Sequence, residues 1–133
     1  MKVVDASVVL GWVLGQDARE GSHVALEGHL TGHDPLVAPE LLNYEVANVL
    51  ATGVRLGRDL AADAFGLYLG LEIETYSLGA AEYRRTLSLA TEHKITVYDA
   101  SYAVLAQALA CPLVTADRRL ARALGGMCEV ETI

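Results

Sequence analysis

The chain has 133 residues, of which 53% are hydrophobic, and a formal net charge of -7 at pH 7. That length predicts a single domain over residues 1–133 with its own core, and the hydrophobic content excludes an intrinsically disordered chain. The negative charge disfavours non-specific binding to nucleic acid, because such binding depends on cations that displace counterions from phosphates. A nucleic-acid substrate would therefore require a bound metal or a local basic patch.

The apolar runs and the N-terminus argue against a membrane or secreted protein. No apolar run approaches the roughly 18 residues that a spanning helix needs. Met1–Asp5 places an acid within the first apolar run and lacks the layout of a signal peptide. Two cysteines do not make a disulfide framework. We expect a cytoplasmic protein with no membrane segment.

Strand-like and helix-like patterns alternate along the chain. Short apolar and β-branched runs predict strands over Lys2–Asp5, Leu36–Ala38, Ile73–Tyr76, Leu113–Thr115 and Cys128–Glu131. Longer stretches predict helices over about 6–14, 20–30, 40–55, 58–71 and 80–93, then from Asp99 to just before Cys111, and from Asp117 onward. Strands that alternate with helices are typical of an α/β fold, in which helices flank a parallel sheet on both faces.

Several finer expectations accompany these elements. Pro39 suits the first turn of the helix that follows the second strand. Two helices are expected to bury apolar faces. The face of the helix over 20–30 consists of Val24, Ala25 and Leu26. The face of the helix over 80–93 consists of Ala81, Tyr83, Leu87, Leu89 and Ala90.

Four acids interrupt or border apolar runs: Asp5, Glu45, Asp99 and Asp117. Each has a structural interpretation, because an aspartate at a helix N-cap stabilises by about 1 kcal/mol and Glu45 could pair with an arginine. The functional interpretation is that all four converge where the carboxyl ends of parallel strands line a ligand crevice. Their mutual repulsion would then call for a hard divalent cation, Mg²⁺ or Mn²⁺, which prefers oxygen ligands.

The chain resembles the PIN-domain ribonucleases, and within them the VapC-type toxins of toxin–antitoxin pairs. The segments that carry the resemblance are V-V-D-A-S-V-V-L at 3–10, P-E-L-L-N-Y-E-V-A-N-V-L at 39–50, Y-D-A-S-Y-A-V-L-A at 98–106 and L-V-T-A-D-R-R-L at 113–120. The resemblance covers essentially the whole chain. It implies a PIN-like (Rossmann-like) three-layer α/β/α fold with a central parallel sheet. It also implies metal-dependent cleavage of RNA, a cognate VapB-like antitoxin, and a homodimer or higher assembly.

The family's acidic residues fall on Asp5, Glu45, Asp99 and Asp117, and its usual Ser or Thr falls on Thr115. We expect Asp5, Asp99 and Asp117 to hold Mg²⁺, or Mn²⁺, directly or through water. Glu45 would ligate as well, or orient the attacking water as a general base. Thr115 would orient Asp117 or a metal-bound water, although a threonine in a strand is also ordinary β-propensity. Ser7 matches a small polar residue near the first acid.

Arg118 and Arg122 stand four residues apart on the last predicted helix and so share one face. They are candidates for contact with RNA phosphate in an otherwise acidic chain. A solvated helix face is the alternative. Arg84 and Arg85 have no evident reason to lie near the site.

Two apolar regions suggest a protein partner. The helix from Val8 to Leu14 is apolar almost all round. The paired helices after Leu41 carry more apolar residues than one inward stripe needs, namely Leu42, Val46, Val49, Leu56, Leu60, Phe65 and Leu69. An antitoxin segment laid between these helices is one interpretation, with Phe65 and Leu42 in contact with it. A core plus a homodimer seam is the other.

Three functions remain open on the sequence. The first is a toxin endoribonuclease with an antitoxin partner. The second is a PIN-domain nuclease in RNA processing without an antitoxin. The third is a catalytically silent PIN module that acts by binding, although a silent copy is expected to have lost some of the four acids.

Overall fold

A computed structural model of the chain describes residues 1–16, 19–53 and 56–133. Within them the strands are β1 Lys2–Val4, β2 Leu36–Pro39, β3 Glu74–Tyr76, β4 Leu113–Thr115 and β5 Val130–Thr132. The helices are α1 Ala6–Val13, α2 Glu20–Leu30, α3 Leu41–Asn48, α4 Arg58–Gly70, α5 Ala80–His93, α6 Val97–Leu109 and α7 Arg118–Ala123. A π-helical turn, Val49–Gly53, follows α3. No helix in these ranges has the length and apolar character needed to cross a membrane.

The strands form one sheet in the order β3-β2-β1-β4-β5, and every neighbouring pair is parallel. This confirms the predicted parallel α/β architecture. The chain moves outward from β1 through β2 to β3 and then returns to the other side of β1 for β4. In such sheets the point between β1 and β4, where the winding direction changes, opens a crevice at the carboxyl ends of the strands.

Helices cover the sheet on both faces. Successive side chains of a strand point to opposite faces, and Leu113, Val114 and Thr115 of β4 are all fully buried. Helix α6 packs against β1, β2 and β4 and is paired with α5. Helices α1, α3 and α4 form a second group, in which α1 contacts β4 and α3 contacts β2. The core therefore lies in two layers, one on each side of the β1–β4 centre.

Several boundaries differ from the sequence prediction. Pro39 is the last residue of β2 rather than the first of a helix, because the next amide, that of Glu40, donates to the Tyr76 carbonyl of β3 at 3.0 Å. Helix α6 starts before Asp99, since the Thr96 side chain accepts the Asp99 N–H at 3.0 Å and caps the helix. The last strand begins at Val130, two residues later than expected. The predicted helix end at Arg55 lies outside the described residues.

The expected inward faces of two helices are partly wrong. In α2, Val24 is 63% exposed, whereas Ser22 is buried and accepts the Trp12 indole N–H at 2.6 Å. In α5, Tyr83 and Leu87 are exposed, and Thr86 is buried instead with Leu89 and Ala90. In both helices the buried row includes a small polar residue, and an apolar periodicity count does not detect such a residue.

The expected partner surface is also partly wrong. Helix α1 is covered by its own chain, because Val8, Val9 and Val13 are buried in the core. Leu42 is 0% exposed and belongs to the core, so it is not available to a partner. The large apolar residues of α4 that are exposed are Leu60, Leu67 and Leu69, and Phe65 is half-buried.

Candidate active site

Asp5 lies at the carboxyl end of β1 and caps α1. Its Oδ1 accepts the backbone N–H groups of Ser7 and Val8 at 3.0 and 3.3 Å, and the Ser7 hydroxyl at 2.6 Å. The residue is 5% exposed, so its carboxylate is held inside the protein rather than in water. The N-cap interpretation of Asp5 is therefore correct for Oδ1, and Oδ2 faces the neighbouring strand.

That neighbouring strand is β4, and two hydroxyls join its end to Asp5. The Thr115 hydroxyl donates to Asp5 Oδ2 and accepts the Asp117 N–H at 3.0 Å. The Ser7 hydroxyl accepts the Ala116 N–H at 3.0 Å. The strand ends on either side of the β1–β4 crevice are thus fixed to one another through the Asp5 carboxylate.

Burial raises the pKa of Asp5, although its hydrogen bonds from Ser7, Thr115 and Val8 act in the opposite direction. Desolvation penalises the charged form of the carboxyl, and its effect on the pKa is larger than that of the hydrogen-bond donors. The ionised carboxylate is consequently unfavourable without a compensating positive charge. A cation near Asp5 would relieve that cost.

Glu45 projects from α3 and is half-buried. Tyr102, which is buried in α6, donates its hydroxyl to Glu45 Oε2. Burial raises the pKa of Glu45, and the negative charges of Asp99 and Asp5 raise it further, while the Tyr102 hydrogen bond lowers it. Asp99 and Asp5 therefore each lie within electrostatic reach of Glu45.

Asp99 and Asp117 border one depression of about 350 Å³. Asp99 is half-buried in the first turn of α6, and Asp117 is exposed as the N-cap of α7. Asp117 Oδ1 accepts the Arg119 and Leu120 N–H groups at 2.7 and 3.2 Å. Glu45 lines a neighbouring groove. Asp99 therefore acts on Glu45 and also borders the depression that Asp117 lines. Asp117 lies at the rim of that depression.

The donor set suits a hard, hydrated cation. Among residues 1–16, 19–53 and 56–133, no three His, Cys, Asp or Glu side chains are close enough together to hold one metal ion as a cage. Mg²⁺ does not need such a cage, because it keeps several waters and binds through one or two carboxylates. The side chains grouped around Asp5 offer carboxylate and hydroxyl oxygens, which favour Mg²⁺ or Mn²⁺ over softer metals. These residues fit an ion held by one or two acids, with the others reached through water.

The cationic side chains in and near α7 are divided between two depressions, one on either side of that helix. Arg118 and Arg122 border one of them, together with Cys128 and Val130. Arg119 borders the other, with Lys94 and the acids Asp99 and Asp117. The predicted phosphate contacts therefore do not lie in the depression that holds these acids.

The sequence analysis did not identify Tyr102 or Lys94 as residues of the site. Tyr102 stands three residues after Asp99 in the segment Y-D-A-S-Y-A, where helical spacing predicts that the two share a face. That spacing is a usable signal. Lys94 gave no signal, because its place beside the acids depends on how α5 ends against α6.

Known proteins resemble this chain along most of its length. The family model described as "PIN domain" matches residues 2–125. The chain is 34% identical to Ribonuclease VapC1 of Mycobacterium tuberculosis, over 98% of this chain and 96% of that protein. It is 29% identical to Ribonuclease VapC3 of Pyrobaculum aerophilum, over 90% and 91% of the two chains.

Solved structures share the fold. The crystal structure of VapBC2 from Rickettsia felis, bound to a DNA fragment from its promoter, contains a chain that superposes with a TM-score of 0.75. The match covers 99% of this chain and 98% of that one, at 14% identity. At that identity the likeness establishes the fold alone.

Proposed function

This chain belongs to the PIN-domain family, among the VapC ribonucleases, and from that premise we propose that it is a Mg²⁺-dependent endoribonuclease that acts as a toxin. The observation that carries the proposal is the buried Asp5 carboxylate at the carboxyl end of β1, with Glu45 close enough for the charges of Asp5 and Asp99 to raise its pKa. A buried carboxylate such as Asp5, kept where its charge is unfavourable, is typical of a functional site. The substrate is RNA, and the bond cleaved is a phosphodiester.

Each acid has a role in that chemistry. Asp5, Asp99 and Asp117 would hold Mg²⁺, or Mn²⁺ in its place, directly or through water. When bound, such an ion lowers the pKa of a coordinated water and polarises the scissile phosphate. Glu45 either joins these ligands or takes the proton of the attacking water. Tyr102 donates to Glu45 Oε2 and so orients the carboxylate for either role.

The hydroxyl groups position the acids. Thr115 holds Asp5 Oδ2 and fixes the Asp117 amide, while Ser7 holds Asp5 Oδ1 and the amide of Ala116. Both oxygens of Asp5 are thus restrained before any ion or substrate enters. Restraint of this kind lowers the cost of bringing ligands into place.

We also propose a VapB-like antitoxin as a partner. Several structural neighbours are described as toxin–antitoxin complexes, among them one from Klebsiella pneumoniae. Leu60, Leu67 and Leu69 leave apolar surface on α4 that an amphipathic segment could cover. A homodimer or higher assembly is proposed too, since Tyr83, Leu87, Val97 and Tyr98 expose further apolar area on α5 and α6.

Two alternatives keep the same fold. A nuclease of RNA processing would cleave RNA and have no antitoxin. A catalytically silent module would bind a partner without cleavage. The presence of all four acids disfavours the silent module. Co-expression with the product of a small neighbouring gene separates the other two, because a toxin should form a stable complex with suppressed cleavage.

The central experiment is cleavage of a fluorophore–quencher RNA by purified protein. We expect activity with Mg²⁺ or Mn²⁺ and none with EDTA. Asp5→Asn should lower the cleavage rate by more than about 100-fold, because even residues that only orient a metal ligand typically contribute 10- to 100-fold. Glu131→Gln, remote from the site and paired with Lys2, is the control for loss of one acid. Equal cleavage by Asp5→Asn and wild type would refute the assigned site.

A further inference from the structure

We propose that Lys94 and Arg119 bind backbone phosphates of the RNA and place the strand against Asp99 and Asp117. This inference rests on the proposed ribonuclease function and adds the path of the substrate across the site. It assigns phosphate binding to a pair of residues on different elements, at the end of α5 and in α7.

The first observation is a shared depression. Lys94 and Arg119 line the same space of about 350 Å³ as Asp99 and Asp117. Two acids and two cations thus border one opening at the carboxyl edge of the sheet. A polyanion cannot approach these two aspartates at low cost, and adjacent cations offset the repulsion between the phosphates and the carboxylates.

The second observation is that both backbones are fixed while both side chains are exposed. Lys94 ends α5 in the left-handed conformation, with φ of 54°, and its N–H donates to the Ala90 carbonyl. The Arg119 N–H donates to Asp117 Oδ1 at 2.7 Å. The Arg119 backbone is therefore held directly on Asp117, and the Lys94 backbone is held at the end of α5. The exposed side chains can adapt to a phosphate at the opening.

The third observation concerns which cationic side chains form ion pairs and where the others lie. Lys2 is paired with Asp34 and Glu131. In the described part of the chain, neither Lys94 nor Arg119 forms an ion pair. Arg118 and Arg122 border the separate depression beside β5. Lys94 and Arg119 are consequently the cations placed to receive phosphate next to the acids.

The test measures RNA affinity without cleavage. In an Asp5→Asn background with Mg²⁺ present, a fluorescent single-stranded RNA is titrated at several salt concentrations and its anisotropy recorded. Three double variants are compared: K94Q/R119Q, R118Q/R122Q and R84Q/R85Q. All three remove two positive charges, so a non-specific effect of net charge is the same in each. Arg84 and Arg85, exposed on α5, provide the matched control.

We expect K94Q/R119Q to weaken binding and to reduce the slope of log affinity against log salt by about 0.7 for each phosphate that the variant no longer neutralises. R84Q/R85Q should retain the parent slope. In the cleaving protein, K94Q/R119Q should raise KM far more than it lowers kcat. Thermal unfolding checks that each variant is folded.

Three results would overturn the proposal. An unchanged slope in K94Q/R119Q would exclude these side chains, and a reduced slope confined to R118Q/R122Q would move the phosphate path to the other face of α7. A parent that binds no RNA even at low salt would also overturn it. RNA binding with the expected slopes, but no cleavage by wild-type protein, would refute the nuclease function and leave the binding site in place.

Discussion

Tyr102 donates its hydroxyl to the carboxylate of Glu45, and this contact joins α6 to α3 across the candidate site. Tyr102 is 1% exposed, and burial together with the charge of Glu45 raises its pKa well above the usual range. It is therefore a protonated donor at neutral pH. Tyr68 makes a comparable bond to Asn43, at 2.7 Å, but to an uncharged acceptor.

Tyr102→Phe should shift the pH dependence of cleavage. The hydrogen bond lowers the pKa of Glu45, so its loss raises that pKa beyond the increase that burial already causes. Glu45 must be ionised to accept a proton, and the acid limb of the rate profile should therefore move to higher pH. At neutral pH we expect a loss of about 10- to 100-fold in kcat. Tyr68→Phe is the matched control, and identical profiles for both variants would contradict the assignment.

Asp5→Asn should stabilise the protein in EDTA at pH 7. Burial raises the folded-state pKa of Asp5 above its unfolded value, so the ionised form opposes folding at neutral pH. Below about pH 3.9 the carboxyl is protonated in both states and this cost disappears. The melting temperature of the variant should exceed that of wild type at pH 7, and the difference should vanish as the pH falls toward 4.

Asp34→Asn is the control, and its effect on the melting temperature should have the opposite sign. Its pKa is lowered, chiefly by the hydrogen bond from the N-terminal ammonium group and also by Lys2. The ionised form therefore favours the folded state, and the substitution should lower the melting temperature at pH 7. A lower melting temperature than wild type at pH 7 in both variants would show that burial does not penalise the Asp5 charge.

Thr115→Val should lower both stability and activity. It removes the donor to Asp5 Oδ2 and leaves the Asp117 N–H without its acceptor. We expect a loss of about 1–3 kcal/mol in unfolding free energy and 10- to 100-fold in kcat. Thr115→Ser retains the hydroxyl and should recover most of the activity. If valine and serine behaved alike in a cleavage assay, the hydroxyl would have no positioning role.

Leu67→Glu and Leu42→Glu should separate a partner surface from the core. Leu67 is 63% exposed on α4, so a charge there should change stability by no more than about 0.5 kcal/mol. Leu42 is fully buried, and a charge there should abolish folding. Co-expression with the antitoxin, followed by affinity capture, measures complex formation. Full affinity in the Leu67→Glu protein would place the antitoxin on another surface.

The sequence by itself determined the order of strands and helices and the family of the chain. Alternating short β-branched runs and longer helical stretches predict the strand and helix order, since both patterns reflect local periodicity. The start of α7 at Asp117 is local as well, whereas the Thr96 cap of α6 was not predicted. The four segments around Asp5, Glu45, Asp99 and Asp117 carry the family resemblance, and each is a local pattern of neighbouring residues.

The tertiary structure alone decided which side chains meet. Thr115 and Asp5 are 110 residues apart in the sequence, and they touch because β1 and β4 are neighbours in the sheet. Leu42 and Leu67 have equally apolar side chains, yet one is core and the other is surface. Lys94 borders the same depression as Asp117 although no spacing links them. Such contacts depend on how distant elements pack, and local periodicity carries no information about that packing.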